Sequence, residues 1–140
     1  MKISKKYRQM LTDEINYVVD NMTEVKTAEQ KLYYFSGIFG ILHRIYNIEF
    51  DEDLAFAHFI LKSVHQEFSV RLQAIKREND LTIPLLDWQF DKLVDFSKEL
   101  GEKLKNDEEI ISVLKQFVIL RYSITGNGYY LLQKGAFTIE

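Results

Sequence analysis

Cysteine is absent from this chain of 140 residues, and proline occurs only once. The lack of cysteine excludes a disulfide framework, a thiolate nucleophile and a thiolate metal site. A single proline and only six glycines argue against a chain built from many turns. These absences favour long helices and a function that does not depend on thiol chemistry.

Long hydrophobic runs are missing as well. The longest nearly apolar stretch, residues 32–45, is interrupted by Ser36, His43 and Arg44 and is too short to span a bilayer. No apolar segment of signal-peptide length follows the N-terminal lysines. The sequence therefore predicts a cytoplasmic protein with no membrane partner.

Neither sign of charge dominates the chain, which has 18 basic and 21 acidic residues and a net charge of −3. This balance gives no general attraction for nucleic acid or for an anionic surface. No helix-turn-helix with a basic recognition helix stands out, so the sequence predicts no nucleic-acid partner. The length predicts a single helical domain over residues 1–140.

Apolar residues recur at helical spacing through most of the chain, which predicts an all-α protein. The fold expected is an antiparallel bundle of about five helices, with a central apolar helix over about residues 28–46 that begins with a capping box of Thr27 and Gln30. The other helices are expected over about 4–22, from a cap at Asp51 to about Glu78, from Pro84 in a first turn, and after a cap at 106–109. Residues 126–140 form an irregular tail, for which a hairpin, an extended arm and a short helix all stay open.

All three histidines lie in the predicted hairpin of the second and third helices. If that hairpin folds back near residue 50 or 51, positions whose numbers sum to about 101 lie level. His43 then lies beside His58, and His65 lies about two turns away, level with Ser36. The pair Ser36 and Gly40 predicts a notch of small residues that lets the third helix approach closely. The apolar seam predicted for the third helix contains Leu54, His58, Leu61, His65, Phe68, Leu72 and Ile75.

Imidazoles at one level could hold a metal ion if a carboxylate joined them. The candidate ligands are His43, His58 and His65, with Glu49 and Asp53 as the nearest carboxylates. Neither Glu-x-x-His nor His-x-x-x-His occurs, so the common helical metal patterns are missing. The interpretation favoured is neutral, hydrogen-bonded histidines at the edge of the core, with no metal and no cofactor.

Acidic residues offer a second arrangement that a metal could use. Residues 49–53 contain four carboxylates, and Asp91, Asp95 and Glu99 form a row at helical spacing. Two such sets facing each other could bind Mg²⁺, as in some all-α nucleotide hydrolases. The interpretation preferred is a capped helix start for the first set and a solvated helix face for the second.

Aromatic residues are numerous, with ten Phe and eight Tyr. Tyrosine is enriched at protein interfaces, and the tail offers Tyr129, Tyr130 and Phe137 as interface candidates. The sequence therefore predicts a protein that acts by association, as a homo-oligomer or an adaptor for another protein, with no catalysis of its own. Packing of the tail on its own bundle stays open. The alternative function is a metal- or proton-handling site, of a hydrolase-like kind, on the helical hairpin.

Overall fold

A computed structural model of the protein describes residues 3–125. The regular structure of these residues consists of five helices: α1 Lys5–Glu24, α2 Ala28–Ile48, α3 Glu52–Glu78, α4 Asp87–Lys105 and α5 Ile111–Ser123. The prediction of an all-α bundle is confirmed. The predicted irregular tail lies outside the described residues.

The five helices form a closed ring in which each helix packs mainly against two others. Helix α2 lies between α1 and α3, α3 also contacts α5, α5 contacts α4, and α4 contacts α1. The ring order is therefore α1, α2, α3, α5, α4. Helix α2, expected to be central, takes part in this ring and buries one face against its two neighbours.

Helix directions follow from the connections and from two contacts between α1 and α4. Arg8 near the start of α1 forms an ion pair with Asp107 just after α4, while Ile15 lies against Gly101 one to two turns further in. Helix α4 is therefore antiparallel to α1, and a short loop reverses the chain again into α5. Because a ring with an odd number of members cannot alternate throughout, one neighbouring pair must be parallel. That pair is α3 and α5.

Phenylalanine side chains fill the axis of the ring. Phe35, Phe68 and Phe117 are fully buried and are among the largest side chains of the core. The ring of Phe117 lies 6.2 Å from Phe35 of α2 and 5.7 Å from Phe96 of α4, measured between centroids. The first contact joins two helices that are not neighbours in the ring, and the second joins the neighbours α4 and α5. At such distances aromatic pairs attract each other beyond the effect of burial alone.

Two predicted helix starts are confirmed by hydrogen bonds. The Thr27 hydroxyl accepts from the amide of Gln30, whose side-chain oxygen in turn accepts from the amide of Thr27. This capping box begins α2. The carboxylate of Asp51 accepts from the amides of Asp53 and Leu54 and begins α3.

The predicted start of α4 is wrong, and that of α5 is correct only in part. Pro84 lies in the loop before α4, which begins three residues later at Asp87, and the side-chain oxygen of Gln89 accepts from the amide of Leu86 there. Residues 106–109 are divided between the two helices. Asn106 ends α4 and Asp107 has a left-handed backbone, whereas the carboxylate of Glu109 accepts from the amide of Ser112 in the first turn of α5. A run of polar residues between two helices fits both roles, and spacing alone did not separate them.

The predicted small-residue notch at Ser36 and Gly40 is also wrong. A Cβ added at Gly40 would meet nothing within 4 Å, so α3 does not approach closely there. The close approach lies between α1 and α4, where a Cβ at Gly101 would lie 2.9 Å from the Cγ2 atom of Ile15. Gly101 is required because the fully buried Ile15 occupies the space of a side chain.

We expect Gly101→Ala to destabilise the protein and Gly40→Ala to stabilise it. The added methyl group at residue 101 overpacks the core by about 1–3 kcal/mol, which outweighs the gain of about 1 kcal/mol in helix propensity. At residue 40 only the gain remains, about 0.5–1 kcal/mol. Urea unfolding followed by circular dichroism measures the free energy of unfolding of each variant. Equal effects of the two substitutions would contradict the close approach of α1 and α4 at Gly101.

Candidate functional site

The buried face of α3 differs from the predicted seam. The core-facing residues of this helix are Leu54, Ala57, Ile60, Leu61, Val64 and Phe68. This stripe is rotated away from His58 and His65, which are only partly buried at the boundary with α2. The histidines therefore line the outer edge of the α2–α3 contact and do not interrupt the core.

His43 and His58 face each other across this edge, as expected from their equal distance from the turn of the predicted hairpin. Their ring centroids lie 5.0 Å apart at an interplanar angle of 36°. His43 is exposed, and the side-chain nitrogen of Asn47, one turn along α2, lies 3.2 Å from its Nε2 atom. The predicted juxtaposition of these two imidazoles is confirmed.

Aromatic rings surround this pair and separate it from His65. Tyr46 lies edge-on to both rings of the pair, at 5.3 Å from His43 and 5.5 Å from His58. Phe39 lies between His58 and His65, with its ring centroid 6.2 Å from that of His58 and 5.3 Å from that of His65. The three imidazoles and the two aromatic rings form one continuous row, the imidazole row, along the α2–α3 boundary.

His65 connects the imidazole row to the axis of the bundle. Its ring is stacked on Phe35 at an interplanar angle of 7°, with centroids 6.4 Å apart, and Phe35 in turn contacts Phe117. The backbone of Leu32 lies beside the imidazole and favours its protonated form, which raises the pKa of His65 against the larger effect of burial. His65 therefore packs as a partly buried aromatic residue with the backbone of Leu32 near its polar edge.

Burial is the main cause of the titration behaviour of the row. Desolvation lowers the pKa of His58 below its ordinary value, and the charges of His43 and Lys62 lower it further. Desolvation also lowers the pKa of His65, and the hydrogen bond to Leu32 only partly offsets this effect. Both imidazoles are therefore neutral at pH 7, which makes them hydrogen-bonding and metal-ligating groups, not cations.

The carboxylates proposed as further metal ligands do not join the imidazoles. Glu49 accepts a hydrogen bond from the backbone amide of Ser4, near the start of α1. Asp53 lies in the first turn of α3, where its amide donates to Asp51. Across residues 3–125, no three side chains of the types that bind metals come together, and this applies equally to the two acidic sets.

No protein-family model matches this chain, and no curated protein or solved structure has significant similarity to it. Among the helices of residues 3–125, none is both long and apolar enough to cross a membrane. The surface of the bundle is therefore the remaining source of information about function.

One surface feature escaped the sequence prediction. Ile48, Phe50, Phe56 and Phe59 are exposed by 61%, 67%, 47% and 67% at the end of the bundle where α2 turns into α3. We name these four residues the hairpin-end patch. Phe56 and Phe59 lie off the buried stripe of α3, and two large apolar residues on the outer face of a helix were the signal that could have revealed the patch. The interface candidates Tyr129, Tyr130 and Phe137 lie outside the described residues.

The imidazole row predicts a loss of stability in mild acid. Because the pKa values of His58 and His65 are lowered in the folded protein, the unfolded chain binds protons more readily below about pH 6.5. The stability contributed by the neutral rings is complete above that pH and is lost as the pH falls toward the folded-state pKa values. Urea unfolding at about pH 7.5 and about pH 5.5 measures the loss.

The double variant His58→Gln, His65→Gln separates this effect from the titration of carboxylates. Glutamine keeps a polar edge but has no proton to gain in this range. We expect a clearly smaller loss of stability between the two pH values in the variant. An equal loss in both proteins would show that the histidines do not cause it.

Proposed function

We propose that this protein acts by association with a second copy of itself, and that the hairpin-end patch forms the centre of the contact. The observation that carries the proposal is the number of exposed apolar side chains within the short stretch of residues 48–59 around the α2–α3 connection. Eleven large hydrophobic residues are exposed within residues 3–125, and four of them belong to the patch. These four include every exposed phenylalanine of residues 3–125. Clustered exposed apolar residues are typical of interaction surfaces, whereas scattered ones are ordinary.

Burying the patch supplies a driving force of the size that association needs. Each phenylalanine that is fully removed from water contributes about 1.5–3 kcal/mol. Phenylalanine is also among the residues enriched in the buried centre of interfaces. Three such residues and Ile48 offer a compact apolar centre that a polar rim can surround.

The charges beside the patch support a contact between identical subunits. Glu52 and Lys62 are both exposed and lie on α3 close to Phe56 and Phe59. In a two-fold symmetric contact the same surface is presented by both subunits, so an acidic group of one can face a basic group of the other. A rim with both signs of charge is self-complementary, which favours a second copy over a partner of strongly basic or acidic character.

Association with a different protein, as an adaptor, is the competing form of the same function. The tail residues Tyr129, Tyr130 and Phe137 stay predicted contributors to either form.

A cytoplasmic location, predicted from the sequence, stays part of the proposal, because a chain without cysteine suits a reducing compartment. The metal- or proton-handling alternative stays a prediction, supported by the adjacent His43 and His58 but by no carboxylate.

Light scattering after size-exclusion chromatography tests the proposal. We expect the mass to rise with concentration from that of one chain, 16.6 kDa, toward twice that value. The double variant Phe56→Ser, Phe59→Ser removes two anchors of the patch, and we expect its dissociation constant to rise by at least about tenfold, or about 1.4 kcal/mol.

Leu81→Ser is the matched control, because Leu81 is exposed by 68% but lies in the loop between α3 and α4. This variant should associate like the original protein. A chain that stays monomeric at about 1 mM, a concentration at which weak complexes form, would refute association with a second copy. Equal weakening by both variants would remove the patch from the contact.

A further inference from the structure

A pocket of about 340 Å³, the α2–α3 pocket, lies between the first turns of α2 and the second half of α3. Its apolar walls are formed by Leu32 and Tyr33 of α2 and by Leu72 of α3. Leu32 is buried and Leu72 is half-buried, whereas Tyr33 is 73% exposed. A volume of this size with mainly apolar walls is typical of a site for a small molecule.

Four hydrogen-bonding side chains follow one side of α3 along this pocket. They lie at intervals of four residues, a spacing that places them on the same face of the helix, and are His65, Ser69, Gln73 and Arg77. The Ser69 hydroxyl, the Gln73 amide and the Arg77 guanidinium have no hydrogen-bond or ion-pair partner within residues 3–125. They are therefore available to a ligand, and a few polar groups on apolar walls are what orients a bound small molecule.

The charges around the pocket leave one positive charge unbalanced. Lys76 of α3 forms an ion pair with Glu29 of α2, so these two charges offset each other. Arg77 has no such counterpart in the part of the chain that the structure describes, and His65 is neutral at pH 7. The first turn of α2 and the last turn of α3 meet at this ion pair, so the opposite partial charges of the two helix ends also offset each other. A ligand with a single negative charge therefore complements the pocket.

The guanidinium group of arginine matches the planar geometry of carboxylate and phosphate oxygens. A phosphate ester carries nearly two negative charges at pH 7, which is more than the pocket offsets, whereas a carboxylate group carries one. We propose that the α2–α3 pocket binds an apolar monocarboxylate, with its carboxylate group at Arg77 and its apolar body against Leu32 and Leu72. The pocket shares no residue with the hairpin-end patch, so the binding of a small molecule and the association of two copies can each fail without the other.

Titration of the full-length, ¹⁵N-labelled protein with 4-phenylbutanoate, followed by nuclear magnetic resonance, tests the proposal. This probe has an aromatic body and one carboxylate group. We expect a dissociation constant in the low millimolar range, which is typical of a ligand of about twelve non-hydrogen atoms. The shifts of backbone amide signals should be largest at residues 29–33 and 69–77. The probe 4-phenylbutanamide has the same shape without the charge and should bind at least about fivefold more weakly.

Arg77→Gln removes the unbalanced charge from an exposed side chain and leaves the core untouched. We expect the dissociation constant of 4-phenylbutanoate to rise at least about fivefold and that of the amide to stay unchanged. Lys62→Gln is the matched control, because Lys62 is also an exposed cation of α3 but does not line the pocket. This variant should bind both probes like the original protein.

Ser69→Leu tests the position of the apolar body, because it places a bulky side chain that forms helix well inside the pocket. We expect it to weaken the binding of the acid and of the amide alike, with unchanged helix content by circular dichroism. Normal binding of both probes to this variant would show that the pocket is not the site.

Three further results would overturn the proposal. The first is an absence of shift changes at the pocket residues at about 20 mM 4-phenylbutanoate, well above the expected dissociation constant. The second is equal affinity of the original protein for the acid and the amide. The third is equal weakening by Arg77→Gln and Lys62→Gln, because the overall charge of the protein would then be the cause.

Discussion

The packing of phenylalanine side chains along the axis of the helical ring is the interaction on which the rest of the structure depends. Five helices in a closed ring enclose a wider space than four do, and close packing requires that large side chains fill it. Phe35, Phe68 and Phe117 do so from three different helices, and none of them is exposed. The parallel arrangement of α3 and α5 closes the ring, because five helices cannot alternate in direction throughout.

This axis determines which face each helix buries and therefore what stays at the edge. On α3 the stripe from Leu54 to Phe68 turns inward, which leaves His58 and His65 at the boundary with α2. The histidines pack there among aromatic rings, partly desolvated and neutral. Their position reflects the orientation of α3 around the axis, and their chemistry is that of polar aromatic residues stabilising a helix contact.

The same orientation places apolar side chains on the outside at both ends of α3. Phe56 and Phe59 face solvent near the hairpin, and Val70 faces solvent near Arg71 and Arg121, between α3 and the end of α5. A helix that is apolar on more than one face needs more than one covering surface. The two ends differ in chemistry, since the hairpin end is aromatic with charges at its rim, whereas at the other end Arg71 and Arg121 lie near Val70 in ion pairs with Asp80 and Glu67.

The sequence by itself determined the helix class, the capping of α2 and α3, and the pairing of His43 with His58, because these depend on local hydrogen bonds and on the geometry of a single hairpin. Only the tertiary structure decided which glycine permits close approach, since Gly40 and Gly101 look alike until Ile15 is placed against one of them. It also decided the outward position of Phe56 and Phe59 and the placement of Arg71 and Arg121 along one groove between α3 and α5. These features depend on the rotation and order of the helices in the ring, which residue spacing within one helix does not contain.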